Sequence, residues 1–204
     1  MKVYQFEVGD MKNFTYLLED EDTGVAIVID PSWDLPDLLQ TIKRNNMKVK
    51  YIVNTHYHFD HTIGNDFMAK STDAKIIQHK ASTLKNDLTV SDGDQIKFGN
   101  YEVTVFHTPG HSKDSICLVG DGKIFSGDTL FVGNCGRVDL PGGSARELYH
   151  SLFDIVSKMN ESFVLYPGHN YGSSFTSTLG KEKKNNFVLQ PRTEDEFVEF
   201  MNSE

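Results

Sequence analysis

Three imidazoles and a carboxylate crowd into the heptapeptide Thr55-His56-Tyr57-His58-Phe59-Asp60-His61. His and Asp are the side chains that hold divalent zinc, iron or manganese. The preceding run Val49-Lys50-Tyr51-Ile52-Val53 reads as a buried strand. Residues i and i+2 of an extended chain project to one side, so His56 and His58 can grip one ion. A turn after Phe59 would carry Asp60 and His61 to a second position, and paired hydrolytic ions sit roughly 3.5–4 Å apart. An isolated histidine is ordinarily a surface or core residue, but this density after an apolar strand points to a metal-binding loop.

One loop cannot complete a four- or five-coordinate ion, so further donors must arrive from elsewhere. The candidates are His111 in Thr108-Pro109-Gly110-His111, Asp128 in Phe125-Ser126-Gly127-Asp128-Thr129 and His169 in Tyr166-Pro167-Gly168-His169. Each follows a short apolar run, and each is preceded by a glycine that permits a sharp turn. Singly they are ordinary turn residues; together with the first loop they make a set of five His and two Asp. Two ions sharing one water bring its pKa from about 15.7 to near neutrality, which makes hydrolysis the expected chemistry. Asp60, beside such a water, would orient the nucleophile and accept its proton, or would serve as a ligand alone. Asp30, in Ile29-Asp30-Pro31, is the candidate for fixing the second nitrogen of a ligating imidazole, with capping of the following helix as its competing role.

The elements that must position these groups recur twice along the chain. Strand-like runs at Val3 to Val8, Phe14 to Leu18 and Val25 to Ile29 precede a helical spacing of Leu35, Leu38, Leu39 and Ile42, then the strand that ends in the first loop. Strands at Asp94 to Phe98, Tyr101 to Phe106, Ser115 to Val119 and Lys123 to Phe125 precede a second helix. That helix is opened by a capping box of Ser144 and Glu147 and faced by Leu148, Leu152, Ile155 and Met159. A strand then ends at Pro167-Gly168-His169. Two such halves predict an α/β (α+β) four-layer α-β-β-α sandwich, in one domain over 1–204, with the metals at the edge of the two sheets. A last helix, capped by Thr193 with Glu196 and bearing Phe197 and Phe200, should pack back on the body.

Composition agrees with a compact enzyme: 38% apolar and 24% charged residues among 204. Lys and Arg number 20 against 29 Asp and Glu, a formal charge of −9. Phosphate backbones are held by basic patches, so no nucleic-acid partner is expected; the run Lys181 to Lys184 reads as a solvated helix end. Residues 1–10 lack the apolar stretch of a signal peptide and no run approaches the ~20 apolar residues of a membrane span, so the expectation is a soluble cytoplasmic protein without a membrane partner. Cys117 reads as core, and Cys135 as a small residue in a tight turn or a thiol beside the pocket.

The ordered motifs T-H-x-H-x-D-H, T-P-G-H, S-G-D-T-L-F, C-G-R and P-G-H-x-Y-G resemble the metallo-β-lactamase superfamily, and within it glyoxalase II-type thioesterases, over about residues 1 to 190. The resemblance implies one ion on His56, His58 and His111, a second on Asp60, His61 and His169, and Asp128 between them. It implies two divalent cofactor ions, zinc foremost with iron or manganese as alternatives, and hydrolysis of a small-molecule thioester of glutathione-derived type. By the same likeness Arg137 would hold a substrate carboxylate and Tyr171 would offer a hydroxyl. Arg137 could instead pair with Asp139, and Tyr171 could pack with its hydroxyl in water. The stretch after His169 is shorter than the helical domain of full-length glyoxalase II, and Leu140-Pro141-Gly142-Gly143 resembles the compact bacterial and archaeal members. The rival is the persulfide dioxygenase group, which has nearly these motifs and uses one iron(II) on the residues matching His56, His111 and Asp128. Against it stand Leu140-Pro141-Gly142-Gly143 after Asp139 and the glycine of Pro167-Gly168-His169. A non-catalytic metal-binding role fits such a complete donor set poorly.

Overall fold

Two six-stranded sheets lie face to face in a computed structural model that describes residues 1–33 and 35–203. The first sheet has the order β1 (Lys2–Val8), β2 (Asn13–Asp20), β3 (Val25–Ile29), β4 (Lys48–Val53), β5 (Lys75–His79), β6 (Leu88–Val90). The second runs β12 (Ser177–Thr178), β11 (Val164–Pro167), β10 (Lys123–Gly127), β9 (Ile116–Gly120), β8 (Tyr101–His107), β7 (Gln95–Phe98). Helices α1 (Pro36–Arg44), α2 (Phe59–Thr62) and α3 (Asn65–Thr72) belong to the first half, and α4 (Ala145–His150), α5 (Leu179–Asn185) and α6 (Glu194–Ser203) to the second.

Alternation along each strand builds the layers. Phe14, Tyr16 and Leu18 of β2 join Ile27, Ile29, Phe98, Val105 and Phe125 in the core between the sheets. Leu17 and Val28 face the other way and meet Leu35, Leu38, Ile42 and Met68 beneath the first helical layer. Ile124 and Leu165 likewise meet Leu148, Leu152, Val156 and Phe197 beneath the second. The expected α-β-β-α sandwich is therefore present. Phe125 is fully buried, and truncating such a ring to alanine costs about 3–5 kcal/mol.

The two halves share their wiring. In each, a helical crossover joins parallel neighbours, β3 to β4 and β10 to β11. Strands β8 and β10 both run antiparallel to β9 and therefore in one direction. The C-terminal ends of β8, β10 and β11 consequently open at one edge, facing the end of β4. The Ile116 amide donates to the Thr55 carbonyl (2.9 Å) and the Phe14 amide to the Gly168 carbonyl (2.7 Å), locking the sheets together there.

Three local expectations need correction. β5, β6, β12, α3 and α5 add to the elements anticipated. The second helix is not a straight α-helix. After α4 it widens into a π-turn at Ser151–Ile155 and closes as a 3-10 turn at Val156–Lys158. The wider turn keeps i+4 neighbours on one face, so Val156 is buried and Ile155 is only half-buried. Ser144 caps α4 by accepting from the Glu147 amide (3.2 Å), but its own amide donates to the Gly110 carbonyl, so the box is one-sided. Thr193 and Glu196 form the full reciprocal box, and Phe197 of α6 is buried against Tyr149 and Phe153. Among the described residues, no helix is long and apolar enough to cross a membrane.

Candidate metal centre

All seven expected donors converge at the sheet edge. His56, His58 and His111 form one group and Asp60, His61 and His169 another, with each group's donor atoms within 4.8 Å of one another. Asp128 joins them: its Oδ2 lies 3.5 Å from His111 Nε2 and 3.3 Å from His169 Nε2, and its Oδ1 lies 3.4 Å from His61 Nε2. Asp60 Oδ2 lies 3.4 Å from both His61 Nε2 and His169 Nε2.

Four of the five rings are oriented from behind. Asp30 accepts from the Thr55 amide (2.7 Å) and the Thr55 hydroxyl (2.6 Å), and its Oδ2 is 3.0 Å from His61 Nδ1. Asp30 thus fixes an imidazole, and the competing capping role is absent because the N-cap of α1 is Leu35, with no side-chain cap. Having given its proton to Asp30, the Thr55 hydroxyl accepts from His56 Nδ1 at 3.1 Å. His111 Nδ1 donates to the Arg137 carbonyl (2.7 Å) and His169 Nδ1 to the Met11 carbonyl (2.8 Å). These partners put the proton of four rings on Nδ1 and leave Nε2 facing inward. His58 differs: its Nδ1 is the inward atom, 2.9 Å from His111 Nε2.

The glycines act in two ways. Gly110 (φ 140°) and Gly127 (φ 49°) occupy the left-handed region that permits the turn. Gly168 instead supplies space, since a Cβ there would overlap Asp128 Oδ1.

Burial and charge pull the site in opposite directions. Burial, reinforced by the neighbouring His61, holds the pKa of His56 well below the usual histidine range. Burial and His111 bring that of His58 down to about 4. Burial would also lower His169, but the Asp128 and Asp60 carboxylates outweigh it and lift it to about 10. His61 is raised in the same way, against its burial, by Asp128 and Asp30. Burial would raise Asp60, yet His169, His61 and Asn13 bring it down to about 2; Asp128 is held well below the carboxylate range by His61 and His169 despite its burial.

A divalent ion fits this donor set. His56 Nε2 and Asp128 Oδ1 are buried side-chain atoms with no hydrogen-bond partner. Leaving such an atom unpaired costs about 1–3 kcal/mol, which coordination relieves. The acidic Asp pair and the inward ring nitrogens are the hard and borderline donors that zinc, iron and manganese take.

A cavity of about 590 Å³ opens over the donors, walled by Met11, Tyr57, Phe59, Phe131, Leu140 and Tyr171. Tyr57 donates to the Pro141 carbonyl (2.6 Å), closing one side. Tyr171 is half-exposed, stacks on His169 (4.6 Å between centroids, 10°) and meets the Phe131 edge. Arg137 reaches the rim, but its Nε and Nη2 donate to both oxygens of Asp139 at 2.6 Å, the pairing that competed with substrate binding. Cys135 lines the cavity and is buried, with Sγ 3.9 Å from Met201 Sδ. A larger groove of about 680 Å³ beside α1 is walled by Trp33, Leu39, Ile63 and Phe67 and, among the described residues, has no metal-binding or nucleophilic side chain in its lining.

Sequence reasoning missed Asn13, whose Nδ2 donates to Asp60 Oδ2 (2.8 Å), and the hydroxyl of Thr55. Thr55 carries a signal, standing directly before the first histidine. Asn13 carries none, because 47 residues separate it from its partner.

Comparison with known proteins gives a family profile, described as the metallo-beta-lactamase superfamily, that matches residues 8–85 and 79–169. The chain is 33% identical over 195 residues to the mitochondrial persulfide dioxygenase ETHE1 of Homo sapiens, covering 92% of this chain and 75% of the relative. It is 34% identical over 164 residues to the hydroxyacylglutathione hydrolase of Pelagibacter ubique, covering 78% and 67%. The crystal structure of ETHE1 from Myxococcus xanthus superposes with a TM-score of 0.94 at 29% identity, over 99% of this chain and 90% of that one.

Proposed function

The chain belongs to the metallo-β-lactamase superfamily, and on that footing we propose that it is a two-ion metallohydrolase of glyoxalase II type that cleaves a small thioester. The supporting observation is the placement of Asp128, whose Oδ2 is within 3.5 Å of a histidine from each three-residue group. One ion would be held by His56, His58 and His111, the other by Asp60, His61 and His169, with Asp128 common to both. Zinc suits this set, as do iron and manganese. When bound, the ions supply the Lewis acidity that brings a shared water close to neutrality in pKa.

The chain's own groups do the rest. Asp60, whose Oδ2 faces His61 and His169, orients the nucleophile and is the acceptor for its proton. The apolar walls Met11, Phe59, Phe131 and Leu140 restrict water around the acyl group. Arg137, at the rim, exchanges Asp139 for a substrate carboxylate; bidentate guanidinium pairing suits either. Thioester cleavage then yields a carboxylate and a thiol.

A second reading is favoured by the likeness to ETHE1: a persulfide dioxygenase with one iron(II) on His56, His111 and Asp128. It leaves Asp60, His61 and His169 without a metal role. The deciding experiment gives the purified enzyme S-lactoylglutathione without oxygen and glutathione persulfide in an oxygen electrode. Anaerobic thiol release is the expected result. Iron-dependent oxygen uptake with no thioester cleavage transfers the assignment to the dioxygenase.

A further inference from the structure

Asn13, fully buried at the first position of β2, stands outside the seven donors, yet its Nδ2 meets Asp60 and lies 3.5 Å from His61 Nε2, and its backbone bridges to His169. Its Nδ2 donates to Asp60 Oδ2 at 2.8 Å and to the Asp60 carbonyl at 3.2 Å. Its Oδ1 accepts from Trp33 Nε1 at 2.9 Å. An indole nitrogen only donates, and an ionised carboxylate only accepts. The two neighbours therefore agree on one orientation of the amide, oxygen toward Trp33 and NH₂ toward Asp60. Reversing it would set oxygen against oxygen and N–H against N–H. Asp60 Oδ2, the atom held this way, is also the one facing His61 and His169.

Trp33 is held in place by unusual means. Its backbone lies in the left-handed region (φ 51°), uncommon for a bulky residue. Its indole lies against Gly9, where any Cβ would overlap the ring. Strain of this kind persists only where the surroundings over-determine it, and it gathers at functional sites.

We propose that Asn13 is a positioning residue that presents Asp60 Oδ2 to the second metal position, and that Trp33 is the clamp that orients Asn13. The inference rests on the two-ion reading above. Neither side chain is placed among the metal donors; Asn13 acts on Asp60 through two hydrogen bonds, and its Nδ2 also lies 3.5 Å from His61 Nε2, a donor to the same ion.

Cobalt(II) titration of the metal-free chain, followed by visible absorption, tests this independently of turnover. Wild type should take two ions. Asn13→Ala should bind the ion on Asp60, His61 and His169 about 10- to 100-fold more weakly, the usual loss when a partner behind a ligand is removed, and leave the other ion unchanged. Trp33→Phe, which keeps a ring and loses only the N–H donor and some volume, should shift the same ion in the same direction by less. Because the clamp acts through Asn13, Trp33→Phe should have no further effect in the Asn13→Ala background. A wild-type chain that takes only one cobalt overturns the two-ion reading and this inference with it. A wild-type chain that takes two, with Asn13→Ala holding both as tightly or Trp33→Phe adding its full effect to Asn13→Ala, overturns the role of Asn13 alone.

Discussion

His58 Nδ1 lies 2.9 Å from His111 Nε2, so two histidines of one metal position present different ring atoms to the same point. An amide coordinates through its oxygen, which in asparagine can take the place of an imidazole Nδ1 and in glutamine the place of Nε2. His58→Asn should therefore retain more metal than His58→Gln, and His111→Gln more than His111→Asn. All four should lose at least the roughly ten-fold in affinity that weaker perturbations behind a ligand cause. Chelator competition on the four variants reads the order directly, and a reversed order would mean that the ring atoms are misassigned.

Asp30 holds Thr55 twice and His61 once. Asparagine tolerates its left-handed backbone (φ 48°), so Asp30→Asn isolates the loss of the carboxylate. Hydrogen bonds to a charged group are worth about 1.5–3 kcal/mol, and each kcal/mol moves the melting temperature of a chain this size by about 2–4 °C. A fall of about 3–12 °C in thermal melts is expected, with weakened metal retention. Unchanged melting would show that the loop is held elsewhere.

Proton competition sets the pH response. His169 is raised to about 10, so its proton stabilises the metal-free fold below the unfolded value of about 6.5, and that stabilisation is lost as pH rises through 10. A metal must displace the same proton, so between about pH 7 and 10 affinity should rise about ten-fold per unit from His169, and more steeply where His61, also raised, keeps its proton. His58, at about 4, does not compete in that range. Asp60, lowered to about 2, contributes stability above the unfolded carboxylate range that is lost as pH falls through 2. Chelator competition at pH 7, 8 and 9 checks the slope; a flat profile contradicts it.

Arg137 and Asp139 are both mostly exposed, at 64% and 63% of their side-chain surface. Exposed pairs contribute about 0–1 kcal/mol, so Arg137→Met should lower the melting temperature by less than about 4 °C and leave metal content intact. Losing a charge-assisted bond to substrate costs about 1.5–3 kcal/mol, a ten- to hundred-fold drop in kcat/KM. That drop should appear with carboxylate-bearing thioesters and vanish with neutral ones. Equal losses for both would assign Arg137 to structure.

The sandwich and the donor set were legible for the same reason. Dense histidines after an apolar strand, and repeated turn-glycine contexts after others, are local patterns that survive without tertiary knowledge. β5 and β6 were not legible, because Lys75–His79 and Leu88–Val90 are short and have no strong alternation. The π-turn was hidden because helical periodicity assumes 3.6 residues per turn, which placed Ile155 where Val156 is buried. Asn13 and Trp33 act through partners distant in sequence, and only the folded chain brings them to Asp60.

The central claim is that seven side chains hold two ions. Stepwise return of zinc to metal-free protein, with thioesterase activity measured at each addition, tests it most directly. Activity should rise until two equivalents per chain are bound, and Asp128→Ala should retain neither ion firmly. Full activity reached at one equivalent, with no second ion taken up, would contradict the account.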